Sequence, residues 1–418
     1  MTWEKVRLRD LGTWYGGGTP SKSNPDFWTN GDVPWLSPKD MGPEILYDTK
    51  DHVTAAAVAG SSTKLVPAGA VAVVTRSGIL EHTIPVALVP FATTMNQDMK
   101  AVVPRGGVDP RWIAWGLRAF ERDLLRHTRK AGTTVASIEM SRWHAFELPV
   151  PPLEEQVRIL SILEDHLSRL DAANAMLKSS VDRATSLAWR TAGNAVRTAG
   201  GQPVELGTLG TFKNGIYVSR PAPEPDGVPI LRIGAVRPLA LGFSDLRYSK
   251  KSESEIRAID GVLAPGDLVF TRYNGNAELV GSCALVPGDA PLLTYPDKLI
   301  RLRFSEQNVV PEFIAIACSV GAARSEIRRF RRTSAGQVGI AGGSLKRVTV
   351  RLPDIPTQEE SVRIVREAQE ATARLATAAE HAQRRSATLR RSLLAAAFAG
   401  RLTGSSAKMF EELGMIDK

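Results

Sequence analysis

Two basic stretches stand ahead of small-residue loops. Arg126, Arg129 and Lys130 precede Gly132, Thr133 and Thr134, and Arg324, Arg328, Arg329, Arg331 and Arg332 precede Ser334 and Gln337. Guanidinium and ammonium groups there can hold phosphate oxygens, and the hydroxyls and amide beside them can donate to or accept from base edges. Further candidates of the same chemistry lie on loops or strand ends. They are Thr19, Ser21, Lys22, Ser37, Lys39, Arg76 and Ser77 in the first half, and Tyr217, Ser219, Arg220, Arg232, Arg237, Arg272, Tyr273, Asn274 and Asn276 in the second. Most surface arginines are merely solvated. These two stretches stand out because both fall at the same point of a repeat.

Catalytic groupings are sparse. Asp98-Met99-Lys100 is the nearest imitation of a metal-dependent nuclease cluster, and it reads as a strand with a structural aspartate. Gly16-Gly17-Gly18 lacks the Lys-Ser/Thr of a nucleotide-binding loop. The six histidines are scattered. Cys283 and Cys318 sit near no histidine cluster, so they read as two buried thiols, with no disulfide framework or zinc site. The net charge of +9 suits a polyanionic partner or a merely basic soluble protein. No apolar run is long enough to span a membrane, and the first residues have no signal-peptide core, so a cytoplasmic protein is expected.

The elements that must position these residues occur twice. Leu8–Thr13 returns as Leu206–Thr211, Val33-Pro34-Trp35-Leu36 as Val228-Pro229-Ile230-Leu231, and Val66–Gly69 as Ala264–Asp267. Trp112-Ile113-Ala114 returns as Phe313-Ile314-Ala315, and the segment 129–138 as 331–340. Each repeat opens with a short β-like segment and continues with β runs such as Val71–Val74, Val86–Val89 and Leu299–Leu302. One helix follows, over about Pro110–Lys130 in the first repeat and Pro311–Arg332 in the second. All eight tryptophans lie at or before Trp189, and most read as core.

A long helix then closes each repeat. The first, over 151–198, carries Leu160, Leu163, Leu167, Leu170, Leu177, Val181, Ala184 and Ala188 on one seam, broken by Asn174. The second, over 354–404, starts after Pro356 and carries Ile364, Ala368, Ala371, Leu375, Ala378, Ala382, Leu389, Leu393 and Ala396. It ends at Gly400. Each has one apolar stripe, and each is the other's cheapest partner.

This order, with Gly17-Gly18-Thr19-Pro20-Ser21, Asn96-Gln97-Asp98-Met99-Lys100, Pro151-Pro152-Leu153-Glu154-Glu155-Gln156 and Ala397-Phe398-Ala399-Gly400-Arg401-Leu402, resembles the specificity subunit of type I restriction–modification enzymes. The resemblance implies an α+β fold. Two similar target recognition domains, 1–150 and 199–353, would be separated by two long helices packed as an antiparallel coiled coil with pseudo-two-fold repeat, and 405–418 would form a tail. It also implies a non-catalytic subunit. Each repeat would read half of a bipartite, asymmetric site in double-stranded DNA. The helices would set the gap and dock two methyltransferase subunits, joined by restriction–translocase subunits. S-adenosylmethionine, ATP and Mg would belong to those partners. The Asn/Asp-Pro-Pro-Tyr/Phe loop of an adenine methyltransferase is absent, since Pro151-Pro152-Leu153 lacks both flanking groups. The second repeat has Tyr295-Pro296-Asp297-Lys298 where the first has Asn96–Lys100, and so is expected to read other bases. Two further classes stay open on the residues alone: a protein-binding repeat scaffold, and a nuclease or methyltransferase with unfamiliar motifs.

Overall fold

The computed structural model describes residues 3–130, 135–218, 220–223, 227–334 and 337–403, with only the backbone of Ser334. The chain divides into two compact units. One runs to Met176 and resumes at His381; the other is Leu177–Glu380. Each unit therefore holds one globular part and half of each long helix.

In the first unit an antiparallel sheet has the order Gly12–Gly16, Met99–Pro104, Ala70–Val74, Val86–Val89. Ala70–Val74 is buried at every position. Val71 and Val73 point into one core with Val102, Ile113 and Trp143, while Ala70, Ala72 and Val74 point into another with Leu36, Met95 and Met99. An unbroken apolar run is what a strand covered on both faces requires. A smaller lobe holds Val33–Leu36 between Asp51–Val53 and Thr94–Met95, the latter pairing parallel. Glu4–Arg7 pairs with Glu147–Val150 just before the long helix.

The second unit repeats this plan. Its sheet has the order Gly210–Asn214, Leu299–Phe304, Leu268–Thr271, Cys283–Leu285. Gln202–Glu205 pairs with Thr349–Leu352. Ile230 bridges Thr294 in parallel, as Trp35 does Thr94. Gly69 and Gly266 occupy the same left-handed turn, φ +83° and +85°, so the repeat is shifted here by one residue from the sequence reading. Cys283 and Cys318 are buried free thiols. Trp35, Trp112, Trp115 and Trp143 are core, whereas Trp189 is partly exposed.

Each expected single helix is two. Pro110–Ala119 and Glu121–Thr128 meet at Phe120, whose ring packs against Phe146 and Phe398. Pro311–Ser319 and Gly321–Arg329 meet at Val320, where Gly321 takes φ +61°. An extended Val320 and a left-handed Gly321 cannot continue a helix.

The long helices are Leu153–Ala199 and Ile355–Phe398, of 47 and 44 residues. At 1.5 Å per residue they measure roughly 70 Å and 66 Å. The second begins before Pro356, contrary to the sequence reading. Asp354 Oδ1 accepts from the Thr357 N–H at 3.0 Å, and Pro356 sits in the first turn, where no donor is needed. It ends as expected: Gly400, φ +71°, lets the Arg401 N–H return to Ala396 O at 2.9 Å.

The helices run antiparallel within each unit. In the first, Asp171 meets Arg390 and Asn174 meets Ser386, and Leu160, Leu163 and Leu167 share a core with Leu393, Ala396 and Phe398. In the second, Ala192 and Ala195 share a core with Val362 and Val365, and Thr372 donates to Ala184 O at 3.5 Å. The seam of the second helix departs from the expected one. Ala371 and Ala378 are exposed, and Thr372 and Ala379 face inward instead. The threonine hydroxyl donates to Ala368 O at 2.9 Å, so an inward position leaves it satisfied. None of the helices among the described residues is long and apolar enough to cross a membrane.

Candidate nucleic-acid interface

In the first repeat the central strand leaves the sheet at Thr75, whose carbonyl accepts from Ile138 N–H at 2.8 Å. The Ser77 N–H then donates to Ala136 O at 3.1 Å, and Arg76 bridges Ser137. Arg76 and Ser77 therefore lie beside the hairpin of Arg129–Lys130 and Ser137–Ile138. Arg76 Nε reaches Asp98 Oδ1 at 2.7 Å, and Thr19 Oγ1 donates to Gln97 Oε1. Thr19, Arg76, Ser77, Arg129 and Lys130 thus gather at one end of the sheet with Gln97 and Asp98. The glycine run that precedes Thr19 has a packing cause: a Cβ on Gly17 would sit 1.7 Å from Asn96 O.

The second repeat assembles the same end. Arg272 donates its N–H to Lys298 O at 2.9 Å and Nη1 to Asp297 O at 3.4 Å, with its guanidinium 4.9 Å above the Tyr273 ring. Tyr273–Asn274 pairs with Gln337–Gly339, which pairs with Arg332–Ser334. Ile216 N–H donates to Tyr295 O at 2.9 Å, leaving the adjoining Tyr217 75% exposed. Asn274 and Asn276 each turn a side-chain oxygen back to a backbone N–H two residues on, both at 2.9 Å.

Other candidates have different surroundings. Ser37, one of the candidates, is buried, and its hydroxyl donates to Asp40 at 2.8 Å, closing a short helical turn. Lys39, in the same lobe, pairs with Asp51, which raises its pKa. Ser21 and Lys22 are exposed, Ser21 Oγ lying 2.8 Å from Ser23 Oγ. Arg126 pairs with Asp123 at 3.4 Å and Lys130 with Glu139 at 3.9 Å. Arg232 pairs with Asp245 at 2.5 Å and Arg237 donates to Val236 O, both in the smaller lobe of the second repeat. Arg220 and Arg332 are exposed. Thr133, Thr134, Ser219 and the Ser334 side chain lie outside the described residues.

The basic run of the second repeat divides by role. Arg324, grouped with its neighbours in the sequence reading, is 6% exposed and donates to Val280 O at 3.3 Å and to Glu278 O. Burial lowers its pKa. It is a structural pin under the loop. Arg331 holds Ala277 O and Glu278 Oε1, Arg328 reaches Glu278 Oε2 at 2.9 Å, and Arg329 is exposed beside Glu326. Arg328 and Arg331 hold the Glu278 carboxyl below its usual pKa. Reading the sequence missed Gln97, Asp98, Lys298, Glu81 and Glu278 as members of this edge. Gln97 and Asp98 stand in the Asn96–Lys100 segment that carries the family resemblance, and Lys298 in its divergent counterpart in the second repeat. Each glutamate follows a Thr-Arg pair by a few residues, Thr75-Arg76 and Thr271-Arg272. Among the described residues no cluster of histidine, cysteine or carboxylate could hold a metal ion.

Residues 1–181 match the family described as type I restriction modification DNA specificity domain. The chain is 46% identical over 157 residues to the specificity subunit of the Escherichia coli type I enzyme EcoR124I/EcoR124II, covering 38% of this chain and 39% of that one. It is 33% identical over 291 residues to the specificity subunit of the EcoKI enzyme of Escherichia coli strain K12, covering 65% and 61%. The chain thus spans about two-fifths and three-fifths of the length of these relatives. Two solved structures share the fold, each at 17% identity and over 96% of this chain. One, from work on assembly and conformational transition of the type I R-M system, superposes with a TM-score of 0.73 over 98% of its own length. The other, the HsdS subunit from Thermoanaerobacter tengcongensis, superposes with 0.56 over 97%.

Proposed function

We propose that this chain belongs to the type I restriction modification DNA specificity family and is the non-catalytic, sequence-reading subunit of such a complex. Each repeat reads one half of a bipartite, asymmetric site in double-stranded DNA. The paired helices set the gap between the halves and dock two methyltransferase subunits, and restriction–translocase subunits complete the assembly. S-adenosylmethionine, ATP and Mg act in those partners, and the complex works in the cytoplasm.

One observation supports this above the others. The same end of the same sheet gathers cations and amides in both repeats, around Arg76, Arg129 and Lys130 in one and around Arg272, Arg332 and Gln337 in the other. Cations there hold the backbone, and neighbouring amides and hydroxyls face base edges. Side chains at matching places differ, with Thr19, Gln97 and Asp98 against Tyr217, Asp297 and Lys298. The two halves therefore read different bases.

Titration of the purified chain against random-sequence DNA, with and without a methyltransferase partner, tests the reading. Enrichment of one motif of two blocks at fixed spacing is expected. Binding indifferent to sequence would make the chain a protein scaffold, and methylation or cleavage by the chain alone would make it an enzyme.

A further inference from the structure

The loops that follow the central strands carry one acid each, and both acids face the cations of the reading edge. In the first repeat Glu81, at the end of the turn Gly78–Glu81, accepts from Arg129 Nη1 at 2.9 Å through Oε2 and at 3.3 Å through its carbonyl. In the second, Glu278, within Ala277–Leu279, pairs with Arg328 at 2.9 Å and Arg331 at 3.3 Å. The two repeats have diverged at most edge positions, yet both keep a carboxylate at this place.

We propose that Glu81 and Glu278 are intramolecular stand-ins for DNA phosphate, occupying the arginines of the reading edge until the duplex displaces them. This inference rests on the DNA-reading function above and names a control built into that same edge. Both carboxylates are about half exposed, 52% and 59%, so a phosphate oxygen can approach from solvent. Neither is needed to hold its loop. Backbone carbonyls do that in the second repeat, where Arg324 and Arg331 grip Glu278 O and Ala277 O. In the first, the Ser77 hydroxyl and Ala136 carbonyl hold the turn. A guard of this kind weakens binding that rests on phosphate alone. Random duplex offers phosphates alone, and exchanging one anion for another gains little. The cognate site adds base contacts, which complete the exchange.

The test uses the full chain with its methyltransferase partner and the variants Glu81→Gln and Glu278→Gln, which keep shape and lose charge. Affinity is measured across a salt series for DNA carrying the motif methylated in the host and for a scrambled duplex. Freeing an exposed ion pair predicts scrambled-DNA binding tighter by about two- to fivefold per substitution. Cognate binding should tighten by at least as much, because that complex bears the full cost of breaking the pair. Unfolding temperatures within a degree or so of the parent's would show the loops intact. Variants that bind both duplexes more weakly overturn the proposal, because the acids would then be positioning the arginines. Unchanged binding overturns it too. If the parent chain prefers no sequence, the DNA-reading function itself fails, a result distinct from a sequence-specific parent with unaltered variants.

Discussion

Gln156 and Gln358 make the same three hydrogen bonds in their respective units. Gln156 Oε1 accepts from Asp109 N–H at 2.9 Å while Nε2 donates to Gly107 O at 3.0 Å and Pro151 O at 2.7 Å. Gln358 accepts from Val310 N–H at 2.8 Å and donates to Asn308 O at 3.0 Å and Pro353 O at 2.8 Å. Both side chains are fully buried. Each fastens the start of a long helix to the loop that leads into the globular part's own helices, so three hydrogen bonds hold that joint.

Replacing either glutamine by leucine keeps apolar bulk and strands one buried N–H and two carbonyls. A loss of about 2–4 kcal/mol is expected, read as a lower midpoint in urea unfolding of the full chain. A midpoint equal to the parent's would mean water substitutes freely at the joint.

A second joint uses the same geometry with its charges exchanged. Arg111 pairs with Glu164 at 3.1 Å, whereas at the matching places Glu312 pairs with Arg366. Each globular part thus carries the charge complementary to the helix that follows it. Glu164→Arg should cost about 1 kcal/mol, and adding Arg111→Glu should recover most of it. Double-mutant unfolding curves measure this, and the same holds for Glu312→Arg with Arg366→Glu. Additive losses would show that the pairs are not coupled.

Asp260 lies in a left-handed turn, φ +47°, and accepts from Arg301 at 2.6 Å and Arg303 at 3.0 Å. The hydrogen bond from Arg301, then the charges of Arg301, Lys213 and Arg303, lower its pKa from 3.8 to about 2. A carboxylate depressed on folding stabilises above its unfolded pKa. That stabilisation fades as pH falls from about 4 toward 2. The difference in urea midpoint between the parent and Asp260→Asn should therefore shrink between pH 6 and pH 2.5. A difference independent of pH would contradict the assignment.

Arg328, Arg329, Arg331 and Arg332 replaced together by alanine should weaken DNA binding and flatten its dependence on salt, the slope falling by about one unit for every phosphate left without its cation. Arg331 also holds Ala277 O, so the Arg329→Ala, Arg332→Ala pair serves as a milder version. An unaltered slope in both would remove the run from the interface.

The repeat, the strands and the seam of the first long helix were legible because apolar spacing carries them, and a strand buried on both faces such as Ala70–Val74 announces itself as a continuous run. The break at Phe120 was not, since its cause is packing against Phe146 and Phe398, far along the chain. Thr372 reads as a polar position beside Ala371, and its place on the inward face depends on a hydroxyl satisfied chiefly by the helix's own Ala368 carbonyl. The reading edge was legible only as a set of cations. Composition cannot say that Arg324 is driven inward to cap carbonyls while Arg329 stays in solvent, nor that Glu81 and Glu278 face those cations. Such distinctions come from pairings between residues 40 or more positions apart.

The claim that this protein measures DNA as well as reading it is tested by removing one heptad from each long helix at opposed positions, around Asp171–Leu177 and the facing turns near Ser386. Seven residues shorten a helix by roughly 10 Å, about three base pairs of duplex. The motif methylated by the reassembled complex should keep both blocks of bases while its internal gap shrinks. A gap of unchanged length, or new bases at an old gap, would contradict the account.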